Sequence, residues 1–305
     1  MATYINLKLL DKLVIDYQPP AETFIAEKLL TPVPVQSVSD KYAVFAKYSS
    51  GLVDDQVGFK STTGVYDVIR VPSEGTYACT EHALKDLITE KQKEAYGQWF
   101  DLVKEAAFGL KRQIMLNREY AIATLAAAAS YSTTPSTKWD AASGVTIEAD
   151  IRDAVQAFKD QCGIYPNTIV IPQEVWNVMV MDSTLRDVWT LIPNRKQQDI
   201  NLASLIGMLF DIPNVLVPNI QYATTGKGAT ESLSSVWTDN VYLVYVAPRG
   251  TTKTFTWAAN FIYRDWNTRV WDCEDPEGQY VKVSREDCPK EVCSTAIYAL
   301  TNVLT

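Results

Sequence analysis

The stretch FIAEKLLTPVPVQSVSDKYAVFAKY, Phe24 to Tyr48, opens with the spacing of an amphipathic helix and then abandons it. Pro32 and Pro34 interrupt the helical pattern and favour extended backbone, because proline lacks an amide N–H and biases the residue before it away from helix. So early in a chain, an extended apolar run has no evident core of its own. The reading is an arm over residues 1–44 that needs a neighbour's surface. Phe24, Leu29, Leu30, Val33 and Val35 are its candidate contacts.

Downstream, Tyr42 to Tyr48 reads as a strand. The loop SSGLVDDQVGFKSTTG, Ser49 to Gly64, follows it, and VYDVIRV, Val65 to Val71, is a second β-prone run. The pattern predicts a long hairpin with Phe59 and Lys60 near its tip, also candidate inter-subunit contacts. Arms of about ten residues would project roughly 30 Å. An isolated two-stranded ribbon is marginal in water, so it must lie on something.

From Ala95 to Ala129 proline is absent, and Tyr96, Phe100, Val103, Ala107, Leu110, Ile114 and Ala121 fall near one helical stripe. Lys104, Lys111, Arg112 and Arg118 are expected on the other faces. A continuous helix of this length would span ~50 Å and cross a whole domain. Beyond it helices alternate with short apolar strands: EADIRDAVQAFKDQC, then NTIVIP, QEVWNVMVMD, INLASLIGMLF, NVLVP and NVYLVYVA. That alternation predicts a compact layered α/β region. The segment from Lys253 to Asp287 alternates apolar and polar residues with turn signals at Asp275-Pro276 and Gly278, as a meander would. STAIYALTNVLT ends the chain as a buried strand. The long helix and the meander each need an apolar face covered, which makes the α/β region an insertion between two partners.

The chain of 305 residues carries a net charge of −8, which argues against a surface built to grip phosphates. No run is apolar enough to span a bilayer. Enzyme signatures are scarce. His82 is the only histidine, so no multi-histidine metal site can form. No Gly-x-Ser-x-Gly elbow accompanies it. Cys79, Cys162, Cys273, Cys288 and Cys293 have loose spacing and an odd count, which gives no disulfide framework. Cys79-x-x-His82 has zinc-like spacing, but reduced, unligated thiols are the better reading. GKGATE at Gly226 is a polar loop, and Asp54-Asp55 and Asp272, Glu274 and Asp275 are solvated carboxylates. No catalytic, cofactor or metal residue is assigned. Extended elements with more surface than one subunit can bury argue for an obligate assembly.

The order of these features resembles the major capsid proteins of tailed bacteriophages. FIAEKLLTPVPVQSVSDKYAVFAK resembles their N-terminal arm. DIRDAVQAFKDQCGIYPNTIVIPQEVWNVM, LIGMLFDIPNVLVPNIQY, VYLVYVAPR and STAIYALTNVL resemble successive later segments in the same order. The resemblance implies an α+β, Hong Kong 97-like capsid fold. It would comprise an N-arm (1–44), an E-loop hairpin (45–75), a peripheral domain with the spine helix (76–138 and 249–290), and an α/β axial domain (139–248) closed by 291–305. It implies pentamers and hexamers of an icosahedral head enclosing double-stranded DNA, assembled in the host cytoplasm and residing in the virion. The implied partners are the chain itself, a scaffolding protein supplied in trans, a portal protein and decoration or cement proteins. Packaged DNA would be enclosed without sequence-specific binding, and no membrane is involved. Some relatives cross-link an E-loop lysine to a peripheral asparagine. Lys60 and Asn267 are the formal candidates, but no local motif matches, so noncovalent locking is expected. An encapsulin-like nanocompartment shell is the alternative within the fold, and a metabolic α/β enzyme is the alternative outside it. On this reading, deleting residues 1–40 should leave a folded monomer.

Overall fold

The computed structural model describes residues 7–17, 19, 23–48, 73–97, 101–190, 202–225 and 232–305. Its first element is helix α1 (Leu7–Asp16), which buries Leu10 and Val14, one turn apart. A one-turn helix α2 (Ala26–Leu29) leads into strand β1 (Thr31–Pro34), which pairs in parallel with a strand near the other end of the chain. The Val35 amide donates to the Ile262 carbonyl at 2.9 Å. Because N–H groups alternate along a strand, Thr31 and Val33 also turn theirs toward the sheet. Pro32 and Pro34 then occupy the outward positions of an edge strand, where no donor is required.

The arm expected to leave its subunit therefore folds onto it over this stretch. Leu29, Leu30 and Val33 are 1–2% exposed, and Ile25 is fully buried. Side chains already enclosed by their own chain are not free to serve as contacts for a neighbour. Burying each contributes about 1.5–3 kcal/mol. Phe24 and Val35 are half-buried.

Strands β2 (Ser39–Val44) and β3 (Ser73–Ala78) form an antiparallel ladder with Ser39 opposite Ala78. This is the base of a hairpin. The loop, the return strand expected at Val65–Val71, Phe59 and Lys60 lie outside the described residues. The outgoing strand is anchored at several points. Ala43 donates to Thr252 at 2.8 Å, Phe45 to Val292 at 2.9 Å and Tyr48 to Cys162 at 2.9 Å.

Strand β4 (Thr80–Thr89) ends at a capping box, in which Thr89 and Gln92 satisfy each other's backbone N–H groups at the start of helix α3 (Glu90–Tyr96). Helix α4 (Leu102–Ala127) has its own N-cap, Asp101, whose carboxylate accepts from Lys104 N at 3.2 Å. Two separate caps make two helices where the periodicity predicts one. At 26 residues, α4 spans about 39 Å. Its buried face holds Val103, Ala107, Ile114 and Ile122, whereas Tyr96 (on α3) and Ala121 are exposed.

A short strand β5 (Ser132–Thr133) precedes helix α5 (Ile147–Cys162), whose Ile147, Ile151, Ala154, Phe158 and Cys162 make one buried stripe. Gly163, with φ +90°, ends it in the left-handed conformation that glycine adopts without strain. Next come β6 (Thr168–Val170), α6 (Gln173–Met181), α7 (Ser183–Thr190), α8 (Leu202–Phe210) and β7 (Asn214–Leu216). A small ribbon, β8 (Gln221–Ala223) with β9 (Leu233–Ser235), leads to β10 (Val241–Val244). The expected meander is one long hairpin, β11 (Ala258–Glu274) and β12 (Glu277–Glu291), turning at Asp275-Pro276. Gly278 sits where a Cβ would lie 2.3 Å from the Ile88 carbonyl, so β4 can close on the hairpin only with glycine there. Strand β13 (Ile297–Leu300) ends the described elements.

Two sheets result. One is ordered β1-β11-β12-β4, and α4 covers it through Val103, Ala107 and Ile114 against Val281, Val283 and Ile88. The other is ordered β5-β13-β10-β6-β7, and its central β6, β10 and β13 are buried throughout. One large apolar cluster joins α2, the end of α4, α5 and this second sheet.

Candidate assembly elements

Three charged side chains on the buried face of α4 tie the rest of the chain to it. Lys111 and Arg118, expected on other faces than the apolar stripe, are buried or nearly so, at 3% and 11% exposure. Each meets a group that needs its charge. Lys111 Nζ donates to the carbonyls of Val14 (2.6 Å), Ile15 (2.9 Å) and Tyr17 (2.7 Å), at and just past the C-terminal end of α1, where a cation is favoured. Burial pulls its ammonium below the ordinary lysine value. Tyr17 stacks on Phe108 of α4 with ring centroids 4.1 Å apart. Asp11 of α1 accepts from the Thr268 amide at 2.7 Å, which satisfies the β11 backbone beyond the end of β1.

Arg118 pairs with Asp287 of β12, which also takes Arg285 at 3.1 Å and Asn260 Nδ2 at 3.1 Å. Arg285 in turn pairs with Glu27 of α2 and lies over the Trp266 ring at 5.2 Å. Glu119 closes the set. Its carboxylate accepts from Ile25 N (3.1 and 3.2 Å), Ala26 N (2.9 Å) and Trp237 Nε1 (2.8 Å). It thus caps α2 and holds the indole of a residue beside the second sheet. Burial pushes its carboxyl up, against the pull of those N–H donors. Among the described residues every hydrogen bond to this carboxylate comes from an N–H donor, an arrangement that holds parts of the chain together.

The remaining sequence candidates are dispersed. Asn267 is exposed on β11 opposite Ser284, and Lys60 lies outside the described residues. His82 is exposed on β4, with Nε2 3.3 Å from Thr80 Oγ1. The Cys79 thiol instead donates to the Phe261 carbonyl at 3.5 Å, inside the core. Among the described residues no group of three or more His, Cys, Asp or Glu is placed to hold a metal, and no helix is long and apolar enough to cross a membrane. An open cleft of about 570 Å³ lies between α8 and β7, lined by Gly207, Met208, Asp211, Ile212 and Pro213.

The docked α1 and the three α4 charges escaped sequence reasoning. The first had a signal, Leu10 and Val14 four residues apart. The charges had none, since periodicity assigns lysine, arginine and glutamate to solvent.

No protein-family model matches the chain, and no curated protein matches it. Solved structures do. A phage-related protein from Bordetella bronchiseptica RB50 is 18% identical and superposes with a TM-score of 0.71 over 97% of this chain and 96% of its own. The capsid of cyanophage P-SCSP1u matches at 11% identity and TM-score 0.58, covering 93% and 89%. A virus-like particle from Pyrococcus furiosus matches at 11% and 0.57, covering 96% of each chain.

The chain has the Hong Kong 97-like coat fold.

In this chain α1, α2 and the β11–β12 hairpin all attach to α4. The charges on α4 give that attachment a physical basis in this sequence. Lys111 holds α1, Arg118 holds the β11–β12 hairpin, and Glu119 holds α2 and Trp237.

Proposed function

We propose that the chain is a structural shell protein, not an enzyme: a major capsid protein that assembles into the pentamers and hexamers of an icosahedral phage head around double-stranded DNA. The carrying observation is the match over nearly the full length of both chains to capsid and virus-like-particle structures. The division into arm, E-loop, peripheral domain and axial domain belongs to this reading. So do the virion location, assembly in the host cytoplasm, a scaffolding protein in trans, a portal protein and decoration proteins. The net charge of −8 suits a wall that encloses DNA without adhering to it.

A second reading, an encapsulin-like compartment, shares the fold and draws support from α1. A helix clamped to α4 by Lys111 is unlike the extended arm that the prolines suggested. The contents of native particles decide between the two. Nuclease-protected double-stranded DNA is the expected finding, and particles filled with protein cargo and free of DNA would give the second reading the case.

A further inference from the structure

Four of the five cysteines, scattered in sequence, meet in pairs in space, and one pair is reachable from outside. β4 and β12 run antiparallel and their ladder ends at Thr80 opposite Asp287, which leaves Cys79 and Cys288 as the next residue on each chain segment. On its other side Cys288 is in register with Phe261, whose carbonyl receives the Cys79 thiol at 3.5 Å. Both cysteines belong to one small apolar cluster with Val33, Tyr77 and Val292. The Cys79 backbone is fixed by its amide, which donates to Val38 O at 2.8 Å. Facing residues of an antiparallel pair have Cα atoms about 4.5–5.5 Å apart, inside the range of about 4.4–6.8 Å that a disulfide spans. Access differs between the two. Cys79 is 6% exposed, whereas Cys288 is half-buried.

We propose that Cys79 and Cys288 form an intramolecular disulfide when the protein meets an oxidising medium, with a small-molecule disulfide of the glutathione type as electron acceptor. The inference needs only the fold and goes beyond the shell reading. The Cys288 thiolate attacks one sulfur of the small disulfide, breaking its S–S bond and releasing one small thiol. The Cys79 thiolate then attacks the Cys288 sulfur of the mixed disulfide and releases the second small thiol. The two protein thiols lose two protons and two electrons, and the small disulfide gains both. Burial, and then the neighbouring Cys288, push the Cys79 thiol up to about 11, which keeps the second step slow in neutral solution.

The bond would matter because Cys79 is the residue between β3 and β4, where the chain passes from the hairpin base to the first sheet. A disulfide there fastens the β2–β3 ribbon covalently to β12 and constrains the unfolded chain as well. Reducing cytosol would leave it open and an oxidising exterior would close it. The other pair serves as an internal control. Cys162 and Cys293 both touch the Thr295 hydroxyl, Cys293 at 3.2 Å, but both are fully buried and beyond the reach of a small disulfide.

The test is incubation of the intact chain with oxidised glutathione, followed by non-reducing peptide mapping by mass spectrometry. The expected map links the Cys79 and Cys288 peptides, while Cys162 and Cys293 stay free. Cys79→Ser, lacking the resolving thiol, should instead accumulate a glutathione adduct on Cys288. A wild-type map in which Cys288 stays free, keeps its adduct, or bonds to another cysteine or a second copy would overturn the proposal. Because the wild-type map decides alone, a variant that failed to fold would leave the result standing.

Discussion

Glu119 accepts the indole N–H of Trp237 at 2.8 Å, joining the middle of α4 to a residue 118 positions later. The same carboxylate takes the first amides of α2. A single side chain therefore fixes three parts of the chain to one another, and both of its oxygens are engaged by N–H donors.

Glu119→Gln tests that arrangement. The amide NH₂ would face N–H donors whichever way it turned, leaving at least one buried donor without an acceptor. Chemical denaturation should show a loss of about 2–4 kcal/mol, because hydrogen bonds to a charged acceptor are the strong ones and a stranded buried donor is costly. A change under about 0.5 kcal/mol would remove Glu119 from its structural role.

Deleting residues 1–40 should unfold or aggregate the chain rather than leave a folded monomer. The deletion removes Ile25, Leu29, Leu30 and Val33 from the core and uncovers β11 where β1 pairs with it. Circular dichroism and size-exclusion chromatography are the measurements. A soluble, cooperatively melting product would show that the arm is an accessory. A shorter deletion ending at residue 17 should still fold, but lose the protection from hydrogen exchange that α1 gives the Thr268 amide.

Burial pushes the thiols of Cys79 and Cys162 up from the ordinary 9 to about 11. Between those values the unfolded chain releases protons that the folded chain keeps, so the folded state binds more protons and stability falls as pH rises. Below 9 the contribution is fully present, and above about 11 it is gone. In reducing buffer each thiol should steepen the decline by about 1.4 kcal/mol per pH unit within the window. Denaturation series at pH 8 to 11 on the wild type and Cys162→Ala would show it as a shallower slope in the variant. Equal slopes would contradict it.

The alternation of helices and strands from Ile147 to Val244, and the hairpin turn at Asp275-Pro276, were legible because apolar periodicity reports burial directly. What the sequence hid were contacts between distant residues. Alternate prolines at 32 and 34 look like a break, and only the partner strand 228 residues later shows them to be the outward positions of an edge. Lys111, Arg118 and Glu119 look solvated until α1, β12 and Trp237 arrive to use them. The cysteine pairs escaped for the same reason, since spacing along the chain carries no word of cross-strand register.

Whether the chain builds a shell is decided by electron microscopy of the purified protein over a series of salt, pH and crowding conditions. Closed, regular shells built from rings of five and six copies are the expected result. Monomers and small oligomers under every condition would contradict it.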